Sequence, residues 1–260
     1  MIFPQIDPVL IQIGPLAIRW YGLMYLLGFL AGYGLIRYLA RLRALPLDGD
    51  AAADLLFYSA VGVVLGGRLG YVLFYQPGYY IAHPLEAFAV WQGGMSFHGG
   101  LLGVVAAALL FCRRRHLPVL LTGDILVTSA TVGLGLGRIG NFINGELWGR
   151  PTDLPWGVVF PGAGPLPRHP SQLYEAFLEG AVLLGVLLWL HRRRAPAGVP
   201  FFGFFLGYGS IRFLVEFVRQ PDAHLGILWG GATMGQLLSL PMIAIGVTGL
   251  LWVRRQRGRA

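Results

Sequence analysis

Arginine within apolar sequence is the first chemical signal in this chain. In GRIGNFINGELWGR, residues 137 to 150, Arg138, Asn141, Asn144 and Glu146 follow directly on the apolar run ILVTSATVGLGL. Arg68 in GGRLGY and Arg212 in GYGSIRFLVEF interrupt apolar stretches in the same way, and His98 lies in GGMSFHGG. An arginine inside a membrane span costs roughly 2.5 to 3.5 kcal/mol on insertion scales, so each of these needs a partner or a job. Internal pairing is one use: Arg212 and Glu216 stand at i and i+4, and Glu146 could reach Arg138 or Arg68. Binding phosphate is the other, because the guanidinium fork matches phosphate oxygens and stays charged. Asn141 and Asn144 follow Arg138 at three-residue steps, a polar stripe larger than one ion pair requires. His98 could act as a general base or hydrogen-bond a phosphate.

The elements that would position these residues are membrane helices. Of 260 residues, 55% are hydrophobic and 12% charged, and the mean hydropathy is +0.63, more apolar material than one soluble core uses. Seven windows reach the roughly 20 apolar residues a span needs: 17 to 37, 51 to 75, 95 to 112, 120 to 143, 172 to 190, 200 to 218 and 234 to 253. The expected fold is therefore an all-α membrane protein of seven transmembrane helices in one polytopic domain, residues 1–260. Arg37, Arg41 and Arg43 follow the first window, Arg113 to Arg115 the third, Arg192 to Arg194 the fifth, and Arg254, Arg255, Arg257 and Arg259 the seventh. The other face has Arg19, Arg150, Arg168 and Arg219. The positive-inside rule then puts the C-terminus in the cytoplasm and the N-terminus outside. Connections 76 to 94 and 144 to 171 fall outside and read as interfacial segments and loops. Arg68 and Arg138 lie roughly 25 Å along their helices from the cytoplasmic side, and Arg212 somewhat less. Tyr21 and His98, entering from outside, fall in the same outer slab. The nearest phosphates at that depth belong to lipid head groups.

Several other readings are set aside by what the chain lacks. The net charge of +8 comes wholly from arginine, since lysine is absent; it sits in short loops beside apolar runs and marks topology rather than a nucleic-acid surface. Cys112 is the single cysteine, which excludes an internal disulfide and a multi-cysteine metal site. The opening MIFPQIDPVLIQIGP has no positively charged n-region and no small-residue cleavage site, so no removable signal peptide is expected. No H-E-x-x-H or comparable ligand spacing appears, and no G-x-S-x-G surrounds Ser171. No metal or cofactor is expected. Ser171, after Pro170, reads as a helix N-cap with Glu175 near the helix dipole. G-R-x-G occurs twice, at 67 to 70 and 137 to 140, a repetition that glycines serving helix packing account for as well as duplication does.

The same blocks resemble a known family. GRIGNFINGELWG is similar to the signature of bacterial prolipoprotein diacylglyceryl transferases, and RWYGLMYLLGF, GGRLGYVLFY, GGMSFHGGL, RHPSQLYE and GYGSIRFLVEFVRQPD resemble its other blocks in the expected order. The resemblance spans nearly the whole chain. It implies transfer of the sn-1,2-diacylglyceryl group from phosphatidylglycerol to the lipobox cysteine of a preprolipoprotein, forming a thioether and releasing glycerol phosphate. It also implies a multi-pass protein of the bacterial inner membrane with its site toward the periplasmic half. Its important residues fall on Tyr21, His98, Arg138, Asn141, Glu146, Gly149, Tyr208 and Arg212.

In such a reaction the substrate's cysteine is the nucleophile, and a thiol of pKa ~8.5 needs only modest help to ionise. The phosphate leaving group gains charge, and stabilising that charge in a site of low dielectric is the larger demand. His98, Arg138 and Arg212 are thus the expected catalytic residues, with Arg138 and Arg212 as phosphate clamps and His98 as base or head-group ligand. Glu146 and Asn141 are expected to orient Arg138. Tyr21, Asn144, Gly149, Tyr208, Arg68 and Glu216 complete the expected substrate-binding set. A lipid transporter or flippase would also place arginines in spans, but inverted repeats and polar groups at several depths would then be expected.

Overall fold

A computed structural model of the chain describes residues 1–4, 6–221 and 231–258. Asp222, which closes the block GYGSIRFLVEFVRQPD, and Arg259 of the basic tail lie outside the described residues. The chain opens with a hairpin of β1 (Val9–Ile13) and β2 (Leu16–Arg19). Then follow α1 (Trp20–Leu42), α2 (Gly49–Phe74), a short α3 (Pro77–Ala82), α4 (Phe97–Arg114) and α5 (Val119–Ile143). After a long connection, α6 (Ser171–Glu175) runs through a π-helical turn, Ala176–Val182, into α7 (Leu183–Arg192). The last two helices are α8 (Val199–Val215) and α9 (Met234–Arg257).

Among the described residues six helices are long and apolar enough to cross a bilayer: α1, α2, α4, α5, the continuous Ser171–Arg192 and α9. The expected sixth span, α8, is apolar but shorter. It stops at Val215 because the backbone of Arg219 pairs with Gly149 in an antiparallel bridge, which a continuing helix would forbid. The first window begins too early: Ala17 to Arg19 belong to β2, which returns on β1 through Gly14 at φ +58 with Ile13 opposite Leu16. An otherwise helical protein therefore carries a small hairpin that its apolar content concealed. Large apolar side chains such as Leu30, Leu65, Leu69 and Leu102 stand exposed on the spanning helices, the surface lipid would cover.

Helix starts follow their caps. Asp48 accepts Ala51 N at 2.7 Å to begin α2, Ser96 accepts Gly99 N at 3.2 Å to begin α4, and Thr233 with Gln236 forms a capping box for α9. Basic residues occupy the last turns of α1, α4, α7 and α9, where the helix dipole favours them.

The helices form two compact units. One comprises Ala44–Gly123 and is built on α2 and α4. Gly62, Gly66 and Gly70 face Gly99 and Gly103, and a methyl added at Gly66 or Gly103 would overlap the carbonyl oxygen of Gly99 or Gly62. Backbone therefore meets backbone, the close approach that small residues give to membrane helices. The other unit comprises Met1–Arg43 and Asp124–Ala260. In it the connection 144 to 171 is more than loop: Phe3, Val158 and Phe160 form a small buried core with Phe142 and Trp148 packed on it. Arg168 ties the connection together by donating to the carbonyls of Ala163 and Gly149.

Candidate active site

The site is organised from α6. Its first residue does not cap it: the N-cap position is Pro170, and Ser171 Oγ donates to Leu147 O at 3.2 Å while Gln172 Nε2 donates to Glu146 O at 2.6 Å. These bonds fasten α6 to the turn that follows α5, where Gly145 and Leu147 both have positive φ. Glu175 and Glu179 lie one turn apart on this helix, and both are fully buried. The π-helical turn spans Glu179; such widened turns recur at functional sites because they re-aim side chains that a regular helix would stack.

Glu175 is the hub. Its Oε2 lies 2.8 Å from Arg138 Nε and 2.8 Å from Arg212 Nη1, and its Oε1 lies 3.7 Å from Arg219 Nε. Glu216 pairs with Arg212 through Nη2, receives Arg219 Nη1 at 3.5 Å, and accepts Thr233 Oγ1 at 2.7 Å. The i, i+4 spacing of Arg212 and Glu216 thus does form a pair. Gly235 makes room for it, since a methyl there would overlap the Glu216 carboxylate. Glu179 Oε2 stands 4.0 Å from Arg138 Nε, and neither of its oxygens accepts a hydrogen bond. Three arginines and three glutamates thus gather in one largely buried cluster, where opposite charge makes their burial tolerable.

Arg138 differs from Arg212 in what it leaves free. Arg212 engages carboxylates through both Nη atoms. Arg138 meets Glu175 through Nε, and its terminal Nη atoms donate to no other described residue. Its side chain is 20% exposed, against none for Glu175. An arginine anchored by Nε with its Nη edge open presents a fork to an anion.

Around this fork stand other expected residues. The Tyr21 ring covers Gly140, where a methyl would come within 2.8 Å of Cδ2, and Tyr21 Oη is 3.3 Å from Tyr25 Oη. Tyr208 lies within electrostatic reach of Glu179, Arg212 and Arg138. Glu146 does not orient Arg138 as expected. The chain turns back at Gly145, φ +65, so the Glu146 carboxylate reaches the last turn of α5 and accepts Asn141 Nδ2 at 2.8 Å and Asn144 Nδ2 at 3.2 Å. Glu175 takes the role instead. Gly149 serves the backbone, with its N bonded to His169 O at 2.9 Å and no space for a Cβ between His169 and Val218.

Arg68 and His98 belong to the other unit. Arg68 is buried, and its Nε, Nη1 and Nη2 donate to the carbonyls of Ala87, Gly93 and Glu86 at 2.8, 2.5 and 2.6 Å, with its guanidinium 5.2 Å from the Tyr80 ring centroid. Its donors are spent on the connection 76 to 94, so it serves the fold rather than a lipid phosphate. His98 is exposed on the first turn of α4 with its ring edge-on to Phe97 at 5.7 Å. Its imidazole makes no hydrogen bond to a described residue.

Glu179, Arg219 and Thr233 join the site without having been singled out, and Glu175 had been read only as a helix-start residue. RHPSQLYEAFLEG held the signal: two glutamates at four-residue spacing entering an apolar run carry the same insertion cost that marked the arginines. Among the described residues no group of three or more histidine, cysteine, aspartate or glutamate side chains could hold a metal ion. Outside the spans, partial burial lowers the pKa of His169 below the usual histidine value, and its Nδ1 stands 3.3 Å from Tyr174 Oη.

Comparison with known proteins identifies the family of the chain. The family model described as prolipoprotein diacylglyceryl transferase matches residues 8–252. A Geobacter sulfurreducens protein is 57% identical over 99% of each chain. A Bordetella avium protein is 55% identical over 99% of this chain and 98% of its own, and one from Nitrosomonas europaea 56% over 100% and 94%. All three bear the name phosphatidylglycerol–prolipoprotein diacylglyceryl transferase.

Proposed function

The chain belongs to the prolipoprotein diacylglyceryl transferase family and is a membrane transferase; from this we propose how its residues carry out the transfer. The donor is phosphatidylglycerol and the acceptor a prolipoprotein. The acceptor atom is the thiol of the lipobox cysteine. Its sulfur attacks the glycerol carbon that bears the phosphate, a C–S bond forms as the C–O bond breaks, and glycerol phosphate leaves with the electron pair. The thiol proton passes to a base, the role proposed for His98, whose exposed ring has both nitrogens uncommitted.

One observation carries this reading: Arg138 and Arg212 converge on a single buried oxygen of Glu175, while the Nη edge of Arg138 stays open. The phosphodiester of the donor presents one negative charge and its leaving form presents two. A fixed guanidinium fork in a dry site favours the second, because charge developed there meets dipoles already in place. Arg212 adds positive charge from behind the same carboxylate. Tyr21, Tyr208 and the Asn141, Asn144 and Glu146 group border the head group.

The proposed setting is a single seven-helix domain in the bacterial inner membrane, with α8 as the remaining span and the periplasm on the side of the connections 76 to 94 and 144 to 171. The count of arginines on the two faces supports that orientation. The test is incubation of the purified protein with phosphatidylglycerol and a lipobox peptide carrying cysteine or serine at the acceptor. Thioether product with cysteine and none with serine is expected; no product with the cysteine peptide refutes the reading.

A further inference from the structure

Fourteen residues before Arg138 on α5, a second buried polar group stands outside the lipid chemistry. Asp124 is fully buried. Its Oδ1 accepts Gly198 N at 3.1 Å and Phe201 N at 2.8 Å, and its Oδ2 accepts Gly198 N at 2.9 Å. Helix α8 has no capping side chain of its own: its N-cap is Gly198 at φ +92, with Pro200 in the first turn. Asp124 supplies from another helix the acceptor and the negative charge that a helix start demands.

The aspartate is itself held. Thr128 Oγ1 donates to Asp124 O at 2.7 Å, and His191 Nε2 lies 3.0 Å from that hydroxyl and 3.3 Å from the same carbonyl. Arg43 Nη1 is 3.2 Å from His191 Nδ1, and Arg43 Nη2 donates to Ala195 O at 2.7 Å. Arginine can only donate, so Nδ1 accepts and the imidazole proton sits on Nε2, directed at Thr128 and Asp124. The ends of α1 and α7 and the chain entering α8 are thereby fastened to one point on α5.

We infer that Asp124 is a positioning residue for the transferase reaction: it fixes the axial register of α8 against α5 and so sets Arg212 level with Arg138. The inference rests on the phosphate clamp proposed above. From Asp124 to Arg138 is fourteen residues along α5, and from Gly198 to Arg212 is fourteen along α8, about 21 Å on each axis. Two helices fastened at one level and advancing by equal steps deliver both arginines to one level, where both stand 2.8 Å from the same Glu175 oxygen. A slide of α8 by one residue's rise, ~1.5 Å, would carry Arg212 out of hydrogen-bond range of that oxygen. No side chain within α8 caps its first turn, and an acceptor on α5 takes the Phe201 N–H instead.

The test compares Asp124→Glu, Asp124→Asn, His191→Gln and Arg138→Lys in the full-length protein. Kinetics with phosphatidylglycerol and a lipobox peptide are measured beside thermal unfolding and gel filtration. Asp124→Glu keeps the charge and both acceptor oxygens but adds one methylene. It should unfold near the wild-type temperature while kcat/KM for phosphatidylglycerol falls about tenfold or more, mostly through kcat, because the clamp acts on the charge of the leaving phosphate and a misplacement of ~1 Å costs up to ~10²-fold. A residue that merely capped the helix would show the reverse, with glutamate restoring both stability and activity where asparagine lost them. His191→Gln, the gentler change, should lower kcat severalfold with KM nearly kept, and it decides the matter should neither Asp124 variant fold. Wild-type kcat in folded Asp124→Glu, or in His191→Gln where that variant decides, overturns the inference. Full activity in Arg138→Lys overturns the clamp and the register argument with it, whereas impaired Arg138→Lys beside unimpaired Asp124→Glu overturns the register argument alone.

Discussion

Replacing Glu175 by glutamine removes one charge and almost no volume from the centre of the site. The Oε2 atom that Arg138 and Arg212 share at 2.8 Å becomes a neutral amide oxygen, or an NH2 that faces two guanidinium groups. Arg219 at 3.7 Å loses its second carboxylate, and only Glu216 and Glu179 remain against three arginines. Removing one partner from a buried ionic group costs about 3 to 5 kcal/mol, because the stranded charges stay desolvated. Part of that is recovered as Arg138 and Arg212 move apart toward lipid or water, and this motion is what function cannot tolerate. Loss of preorganised charge at an anionic transition state costs about 2.7 to 4 kcal/mol, or 10²- to 10³-fold in rate. The expected outcome for Glu175→Gln is therefore a fall in kcat/KM of roughly 10²-fold or more. The assay is single-turnover transfer to a lipobox peptide from vesicles of phosphatidylglycerol, with gel filtration confirming a folded, monodisperse protein. Arg138→Gln provides the reference, and the double variant should be little worse than either single one, since residues that act as a unit are not additive. A folded Glu175→Gln protein within threefold of wild type would refute the claim that this carboxylate holds the two arginines in place.

Three further outcomes follow from the same structure. His98→Gln should lose about 10²- to 10⁴-fold in kcat while remaining folded, the usual worth of a general base; near-normal turnover in the peptide assay removes His98 from that role. Gly66→Leu should prevent α2 from seating on α4, because even a methyl there overlaps the Gly99 carbonyl; loss of soluble, monodisperse protein is expected, and wild-type thermal stability would contradict the contact. Burial lowers the pKa of His169 in the folded chain, so its contribution to stability is present above the unfolded value near 6.5 and is lost as pH falls through the lowered folded value. The unfolding temperature should decline on acidification from neutrality, and His169→Gln should flatten that decline.

Much of this molecule is legible in one dimension. A run of some 20 apolar residues can satisfy its backbone in lipid only as a helix, so composition and length alone give the helical membrane character and the rough limits of most long spans, while α8, counted among seven from sequence, proves shorter. A charge inside such a run is costly wherever the helix packs, so Arg138 and Arg212 stand out as residues that need a partner or a task. The sequence is quieter about short-range geometry. The hairpin at Val9–Ile13 and Leu16–Arg19 hides within apolar sequence, and α8 ends at Val215 because of a bridge between Gly149 and Arg219, residues far apart in the chain.

Partnership is what only the tertiary structure decides. Position in the chain made Glu146 the natural companion of Arg138, yet a turn at Gly145 sends Glu146 to Asn141 and Asn144, and Glu175 arrives from another helix. Arg68 and Arg138 share the G-R-x-G pattern and look alike in sequence. One has its donors bound to the carbonyls of its own connection, and the other holds a guanidinium edge open. Insertion cost depends on what a residue is and on its distance along a helix, which the sequence records. Pairing depends on how helices rotate and slide against one another, and that is settled by glycine contacts such as Gly135 with Gly180 and by the Asp124 bond to the start of α8.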